Sequence, residues 1–276
     1  MKKLFLVAGF SIVFTGACGQ ADSVQSSKVY CLNYKYEIPL TIGQYALDFY
    51  LLSLLTNKPA LNTQQINSLN KTNIWTFDRR AVNQSYNEAS RNKALTASDW
   101  GMNIMAALPA LLLLDKKIQK DWYDVLFLYV ETQAVNLLFT YSGPLLTTRK
   151  RPIVYMPAAP MDEKLKSGTT NSFFSGHTST TAAASFFIAK VISDYHPELG
   201  AKKWLLFAAA LIPPTFVGYQ RYRGFKHFPT DIAAGTAIGA TIGILTPHLH
   251  KKRSMYNLSV VPITGQYNGL VVNINF

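Results

Sequence analysis

The sequence predicts an all-α bundle of about five to six core helices, followed by a short β-hairpin-like tail. Three observations predict it. Apolar segments of helical length recur at 99–115, 122–147, 178–195, 203–220 and 230–247. In the last of these, Gly235, Gly239 and Gly243 fall four apart, the spacing that lets a neighbouring helix backbone come close. The stretch YNLSVVPITGQYNGLVVNINF (256–276) then turns to Val, Ile and Tyr around a Gly-containing turn, which reads as a hairpin.

Taken in order, the elements divide the chain into four parts. Residues 1–21 read as an export signal. Lys2 and Lys3 supply the positive start, Leu4–Phe14 the apolar core, and cleavage falls near Ala17 or Ala21. A lipidated Cys18 and an uncleaved anchor are the alternatives. Cys18 and Cys31 are the only cysteines, so removal of the leader leaves Cys31 alone and no cysteine-based metal site forms. Residues 22–97 are polar or amphipathic. They hold a short helix at 43–56 containing Asp48, below the roughly 20 residues of a membrane span, and a polar excursion at 57–97 with short helical pieces. Residues 98–247 form the helical bundle. Pro213 and Pro214 kink the helix at 203–220. Asn103, Glu131, Gln133 and Asn136 face other helices and not lipid. Residues 248–276 are a basic turn and the β-like tail.

Composition narrows the class. Charged residues are 15% of the chain, against about 25% in ordinary soluble domains, and the net charge is +12. Contact with lipid and an attraction for anions both follow. The Lys and Arg residues are scattered between apolar segments and form no continuous basic face, which excludes nucleic acid as a partner. The short basic stretches at 115–121, 200–203 and 248–253 fall on one side of an up-and-down bundle, cytoplasmic by the positive-inside rule. Residues 57–97, 148–177 and 221–229 fall on the other.

That second side collects the chemistry. Arg149, Lys150, Arg151 and Pro152 follow the end of one helix. Ser175, Gly176 and His177 open the next. Arg221, His227 and Asp231 straddle the turn between the last two. Guanidinium forks bind tetrahedral oxyanions. A helix N-terminus presents free N–H groups to an anion, and Gly176 lets the backbone approach. Asp231 stands one helical turn after His227 and is placed to accept from one ring nitrogen, leaving the other as nucleophile. Two histidines serve as nucleophile and acid in phosphoryl transfer, and the set requires no metal or cofactor.

The pattern RP at Arg151–Pro152, SGH at Ser175–His177 and RYRGFKHFPTD at Arg221–Asp231 resembles the type 2 phosphatidic acid phosphatase (PAP2) superfamily over roughly residues 98–247. The resemblance implies that His227 attacks phosphorus to give a phosphohistidine, Asp231 orients it, and His177 protonates the leaving group. It further implies that Arg151, Arg221, Ser175 and Gly176 hold the phosphate oxygens, with Lys150 or Arg149 adding charge. The implied substrate is a lipid-linked or small phosphate ester, and the implied site is the extracytoplasmic face of a bacterial envelope membrane. Three positions depart from the family pattern. Pro144 stands where it has a lysine, Phe174 where it has a proline, and Gln220 where it has a serine. A soluble periplasmic acid phosphatase, a vanadate haloperoxidase and a degenerate membrane protein are the alternatives.

Overall fold

The computed structural model describes residues 28–252 and, as backbone, two strands at 257–263 and 269–275. The leader at 1–21 lies outside the described residues. Among the described residues, six long helical segments alternate in direction. They are α1 (Tyr34–Thr56), α2 (Glu88–Ala107, continued by a 3-10 turn Leu108–Leu114), α3 (Trp122–Leu146), α4 (Gly176–Tyr195), the pair α5 (Lys203–Ala209) and α6 (Ile212–Arg223), and α7 (Pro229–His250). The α5–α6 break falls at Ala210–Leu211, and Pro213 and Pro214 lie in the first turn of α6, where a missing N–H costs no helix bond. β1 (Asn257–Ile263) pairs antiparallel with β2 (Gly269–Asn275), the expected hairpin.

α4 is the hub. It is rich in Ala, Ser and Thr, and most of its residues are buried. α7 lies closest to it, for a reason the glycine spacing announced. A Cβ on Gly235, Gly239 or Gly243 would stand 2.5, 2.1 or 2.5 Å from the carbonyl oxygens of Ser175, Ser179 and Ala183. The expected polar contacts between helices are present at Asn136, which accepts from Ser179 Oγ at 2.5 Å and donates to Thr180 Oγ1 at 3.1 Å. Asn103 instead points outward and is exposed.

α1 corrects two expectations. It has 23 residues, not the short stretch 43–56, and at 1.5 Å per residue is about 34 Å long. It also traverses the bundle. Lys28 bonds Asp124 at the start of α3 at 2.7 Å and Tyr30 bonds Asp194 at the end of α4 at 3.0 Å, whereas Lys58 donates to Pro144 O at 2.6 Å at the other end. The sequence misled because α1 is built inside out. Its polar residues Glu37, Thr41, Gln44 and Asp48 share one buried face, and Ile42, Phe49, Tyr50 and Leu54 are exposed. Trp100, Ile104, Leu126, Val130, Phe139, Phe216 and Leu245 extend that exposed apolar belt. Among the described residues, three helices, Tyr34–Thr56, Glu88–Leu114 and Pro229–His250, are long and apolar enough to cross a membrane. The chain reads as a membrane protein.

Cys31, expected to be left alone, is disulfide-bonded; the other cysteine, Cys18, lies outside the described residues. α2 begins at Glu88, so the division drawn at 97/98 falls within a helix. Residues 57–87 are packed into the bundle end. Leu61 and Ile66 join Ile153, Val154, Met156 and Phe225 in one apolar cluster, and Ile74, Ala81 and Val82 cover Phe228.

Candidate active site

The ends of α3 and α6 and the starts of α4 and α7 meet at one end of the bundle. The chain between α6 and α7 is only Gly224–Phe228, and Phe225 takes a left-handed φ of 56° there, a conformation held by its buried stacking on Tyr86. This tight turn delivers His227 to the N-terminus of α4. Ser175 N donates to Asp231 O at 3.1 Å, which ties the two helix starts together. A Cβ on Gly176 would stand 2.6 Å from Thr140 Cγ2, so the first turn of α4 sits directly on α3.

His227 is buried, and its Nδ1 lies 2.8 Å from the Ser172 carbonyl oxygen. A carbonyl only accepts, so Nδ1 carries the proton and Nε2 keeps the lone pair of a nucleophile. This corrects the expected Asp231 contact. Asp231 Oδ2 is 3.9 Å from Nδ1, too far for a hydrogen bond. Asp231 acts one step back. It accepts from Ser172 Oγ at 2.6 Å and from Phe228 N at 2.9 Å, fixing both the residue whose carbonyl holds His227 and the turn that carries it. Burial, then the nearby Arg151 and Arg221, hold the His227 pKa well below its ordinary 6.5.

Arg149, expected to add charge for a phosphate, has its guanidinium engaged by other side chains. Its guanidinium donates to Asp231, to Thr230 Oγ1 at 2.9 Å and to Asp78, and stacks over the Phe228 ring at 4.6 Å. It organises Asp231. Lys150, by contrast, is turned away. It lines a cleft with Lys58, Leu61, Leu69, Thr148 and Thr170 on the far side of the loop. Arg151 is directed inward, with Nε and Nη2 each 3.4 Å from Asn171 O, and burial with Arg221 nearby lowers its pKa to about 10. Arg221 is buried, donates through Nη1 to Ser98 Oγ and Asp99 Oδ1 at 3.2 Å each, and has a buried Nε–H with no partner. His177 Nε2 lies 2.8 Å from the same Asp99 Oδ1. Ser175, fully buried, pairs its hydroxyl with Thr178 Oγ1 at 2.7 Å.

Sequence reasoning missed five groups. Asp78, fully buried, comes from the 57–97 excursion and accepts from Arg149, Thr230 N and Thr230 Oγ1. Nothing in its local sequence marks it. Ser98 and Asp99 come from α2. A lone carboxylate in an apolar segment was the available signal for Asp99. Ser172 acts through its carbonyl, which spacing does not reveal. Lys226 precedes His227, and burial together with Arg151, Arg221 and Arg91 lowers its pKa to about 7, so it stands beside the arginines as an amine that an arriving anion would help to protonate.

The assembled groups are a buried imidazole with an unprotonated Nε2, a second histidine, converging guanidiniums and a helix N-terminus, an arrangement suited to phosphoryl transfer. Comparison with curated proteins gives no match. Among solved structures, the chain is similar to the first transmembrane PAP2 type phosphatidylglycerolphosphate phosphatase from Bacillus subtilis, at 18% identity and a TM-score of 0.42, covering 78% of this chain and 94% of that one. Residues 125–255, which carry all three motifs, match the PAP2 superfamily. That stretch, a little under half of the chain, is a PAP2-superfamily domain and supports a PAP2-type phosphoric ester hydrolase.

Proposed function

We propose that the protein hydrolyses a lipid-linked phosphate or pyrophosphate monoester through a phosphohistidine on His227, at the extracytoplasmic face of a bacterial envelope membrane. The observation that carries the lipid assignment is an apolar groove of about 670 Å³ between α6 and α7, lined by Leu211, Tyr219, Tyr222, Pro229, Ile232 and Ala240. It starts within the exposed apolar belt. Its other end is lined by Tyr222 and Pro229, which neighbour Arg221 and His227 in the sequence. A chain lying there places its phosphate among the arginines.

In this reading His227 Nε2 attacks phosphorus and the bond to the leaving oxygen breaks. His177 gives that oxygen its proton. Water then attacks the phosphohistidine while the neutral His177 takes a proton from it, and the P–N bond electrons return to Nε2. Arg151, Arg221 and the α4 N-terminus at Ser175–Gly176 neutralise the equatorial oxygens. Arg149 and Asp78 hold Asp231, and Lys226 supplies the charge absent at Pro144.

The test is phosphate release by detergent-purified protein, with EDTA present, from phosphatidic acid, a polyprenyl pyrophosphate, lipid A and p-nitrophenyl phosphate. Release from a lipid that falls to background in His227→Ala is expected. Release from the small ester alone points to a broad acid phosphatase, and turnover retained in His227→Ala removes the phosphohistidine. Orientation is tested by labelling single cysteines at positions 28 and 150 in intact cells. A periplasmic site requires position 150 accessible and position 28 protected. In that orientation the leader does not leave residue 28 outside, so the opposite labelling overturns the assignment of the face.

A further inference from the structure

We propose that Asp99 is the positioning residue for His177, forming an Asp–His pair across α2 and α4 that orients the general acid and favours its donating form. The proposal rests on the phosphatase reading above. It concerns a residue outside the 125–255 match.

The geometry is specific. Asp99 Oδ1 lies 2.8 Å from His177 Nε2 and 3.2 Å from Arg221 Nη1. A carboxylate only accepts, so the nitrogen it meets carries a proton. With Nε2–H committed to Asp99, Nδ1 is the nitrogen left for the leaving oxygen. The two histidines are then held by opposite devices. His227 meets a neutral carbonyl at Nδ1, which leaves an unprotonated Nε2. His177 meets an anion at Nε2, which favours a second proton at Nδ1.

The charges around His177 make the anion necessary. Burial, then Arg221 from α6 and Arg151 from the loop after α3, act against a doubly protonated ring and lower its pKa to about 4, and Asp99 is the acidic group beside it that opposes them. His227, from the turn before α7, is also close and is held neutral. Ser98, fully buried, accepts from the same Arg221 Nη1 and donates to Leu95 O at 2.7 Å, which fixes the guanidinium that Asp99 shares. In the reaction the Nδ1 proton passes to the leaving oxygen as the P–O bond breaks. The ring stays neutral with Nε2–H on Asp99, and the attacking water returns a proton to Nδ1.

The test compares the full chain with Asp99→Asn and Asp99→Glu on phosphatidic acid and on p-nitrophenyl phosphate across pH. Asp99→Asn should lower kcat about 100-fold on the lipid, the scale of a general-acid contribution, and only a few-fold on the activated ester. The alkaline limb of kcat on the lipid should move to lower pH. Inhibition by inorganic phosphate should tighten, because an anion beside Arg221 is gone, and it also reports that the site is folded. Asp99→Glu should restore part of the lipid rate. Equal loss on both esters with an unmoved limb overturns the proposal. So does an unchanged kcat with a lower KM, which would make Asp99 only a competitor of phosphate. Absence of phosphate release by the unsubstituted protein would count against the phosphatase reading and not against the pair. In that event NMR of 13C-labelled His177 decides the pair: the ring should deprotonate at lower pH in Asp99→Asn, and an unmoved titration overturns it.

Discussion

The two ends of the bundle use the same residue types to opposite ends. At the end holding residues 28–33, charges are paired off. Lys28 meets Asp124 at 2.7 Å, Lys117 meets Glu198 at 2.6 Å, His196 meets Asp115 at 2.7 Å and Lys251 meets Asp194 at 2.6 Å. Beneath them Tyr30, Ile118, Leu128, Phe187 and Val191 form a closed apolar cluster. At the other end the cations outnumber their partners. Arg91 and Arg221 each keep a buried Nε–H without an acceptor, and Arg151 reaches a carbonyl only at 3.4 Å. Buried donors are almost always satisfied, so the open Nε–H of Arg221, whose Nη1 shares Asp99 with His177, suits an oxyanion. The acids at the site end bind the positioning groups and leave the inward guanidiniums largely open.

Substitutions at the two ends should separate these uses. The largest structural effect is expected at Asp78→Ala. It strips a fully buried carboxylate from Arg149 and Thr230 and leaves Arg149 with only Asp231 and Thr230. A loss of about 3 kcal/mol is expected by analogy with other broken buried pairs. Turnover should fall with it because Asp231 loses its support. Unfolding by denaturant and phosphate release check the two; loss of stability with full turnover would break the proposed chain from Asp78 to His227. Gly239→Ala comes next. Its new Cβ meets a backbone oxygen that has nowhere to go, and a loss of about 1–3 kcal/mol is expected from overpacking, with KM unchanged.

The third prediction concerns pH. The folded-state pKa of His227 is depressed, so below 6.5 the unfolded chain takes up a proton that the folded chain does not. Stability is full above that pH and is lost as pH falls toward the folded pKa, by up to about 1.4 kcal/mol per pH unit. His227→Gln should flatten that part of the stability curve. The same depression keeps Nε2 unprotonated, so turnover of p-nitrophenyl phosphate should not show an acid limb centred at 6.5. The smallest effect is expected at the opposite end. Lys117 and Glu198 are about half exposed, and Lys117→Ala should change stability by less than about 1 kcal/mol and activity not at all.

Much of the site was legible because its parts are local. Ser175 and Gly176 open α4, and His227 and Asp231 flank the start of α7, positions that helix-end chemistry explains without any tertiary contact. The placement of Arg149 and Lys150 was not legible. Adjacent residues leave an extended backbone on opposite sides, so of Arg149, Lys150 and Arg151 the outer two turn inward and the middle one turns away. The length of α1 was hidden because polarity was read as exposure, whereas in a bundle with an apolar exterior the polar face is the inner one.

By itself, the sequence determined the helices from α3 onward, the close α4–α7 contact written in Gly235, Gly239 and Gly243, and that His177, His227, Arg151, Arg221 and the two helix starts would meet. These follow from periodicity and from steric rules acting over four or five residues. Only the tertiary structure decided that a Ser172 carbonyl, and not Asp231, holds His227, that Asp78 and Asp99 arrive from outside the motif region, and that α1 crosses the whole bundle. Those partners stand 55, 82 and 78 residues apart for His227–Ser172, Arg149–Asp231 and His177–Asp99. No local rule couples residues at such separations. They meet because packing the apolar and small faces of the helices brings their ends together.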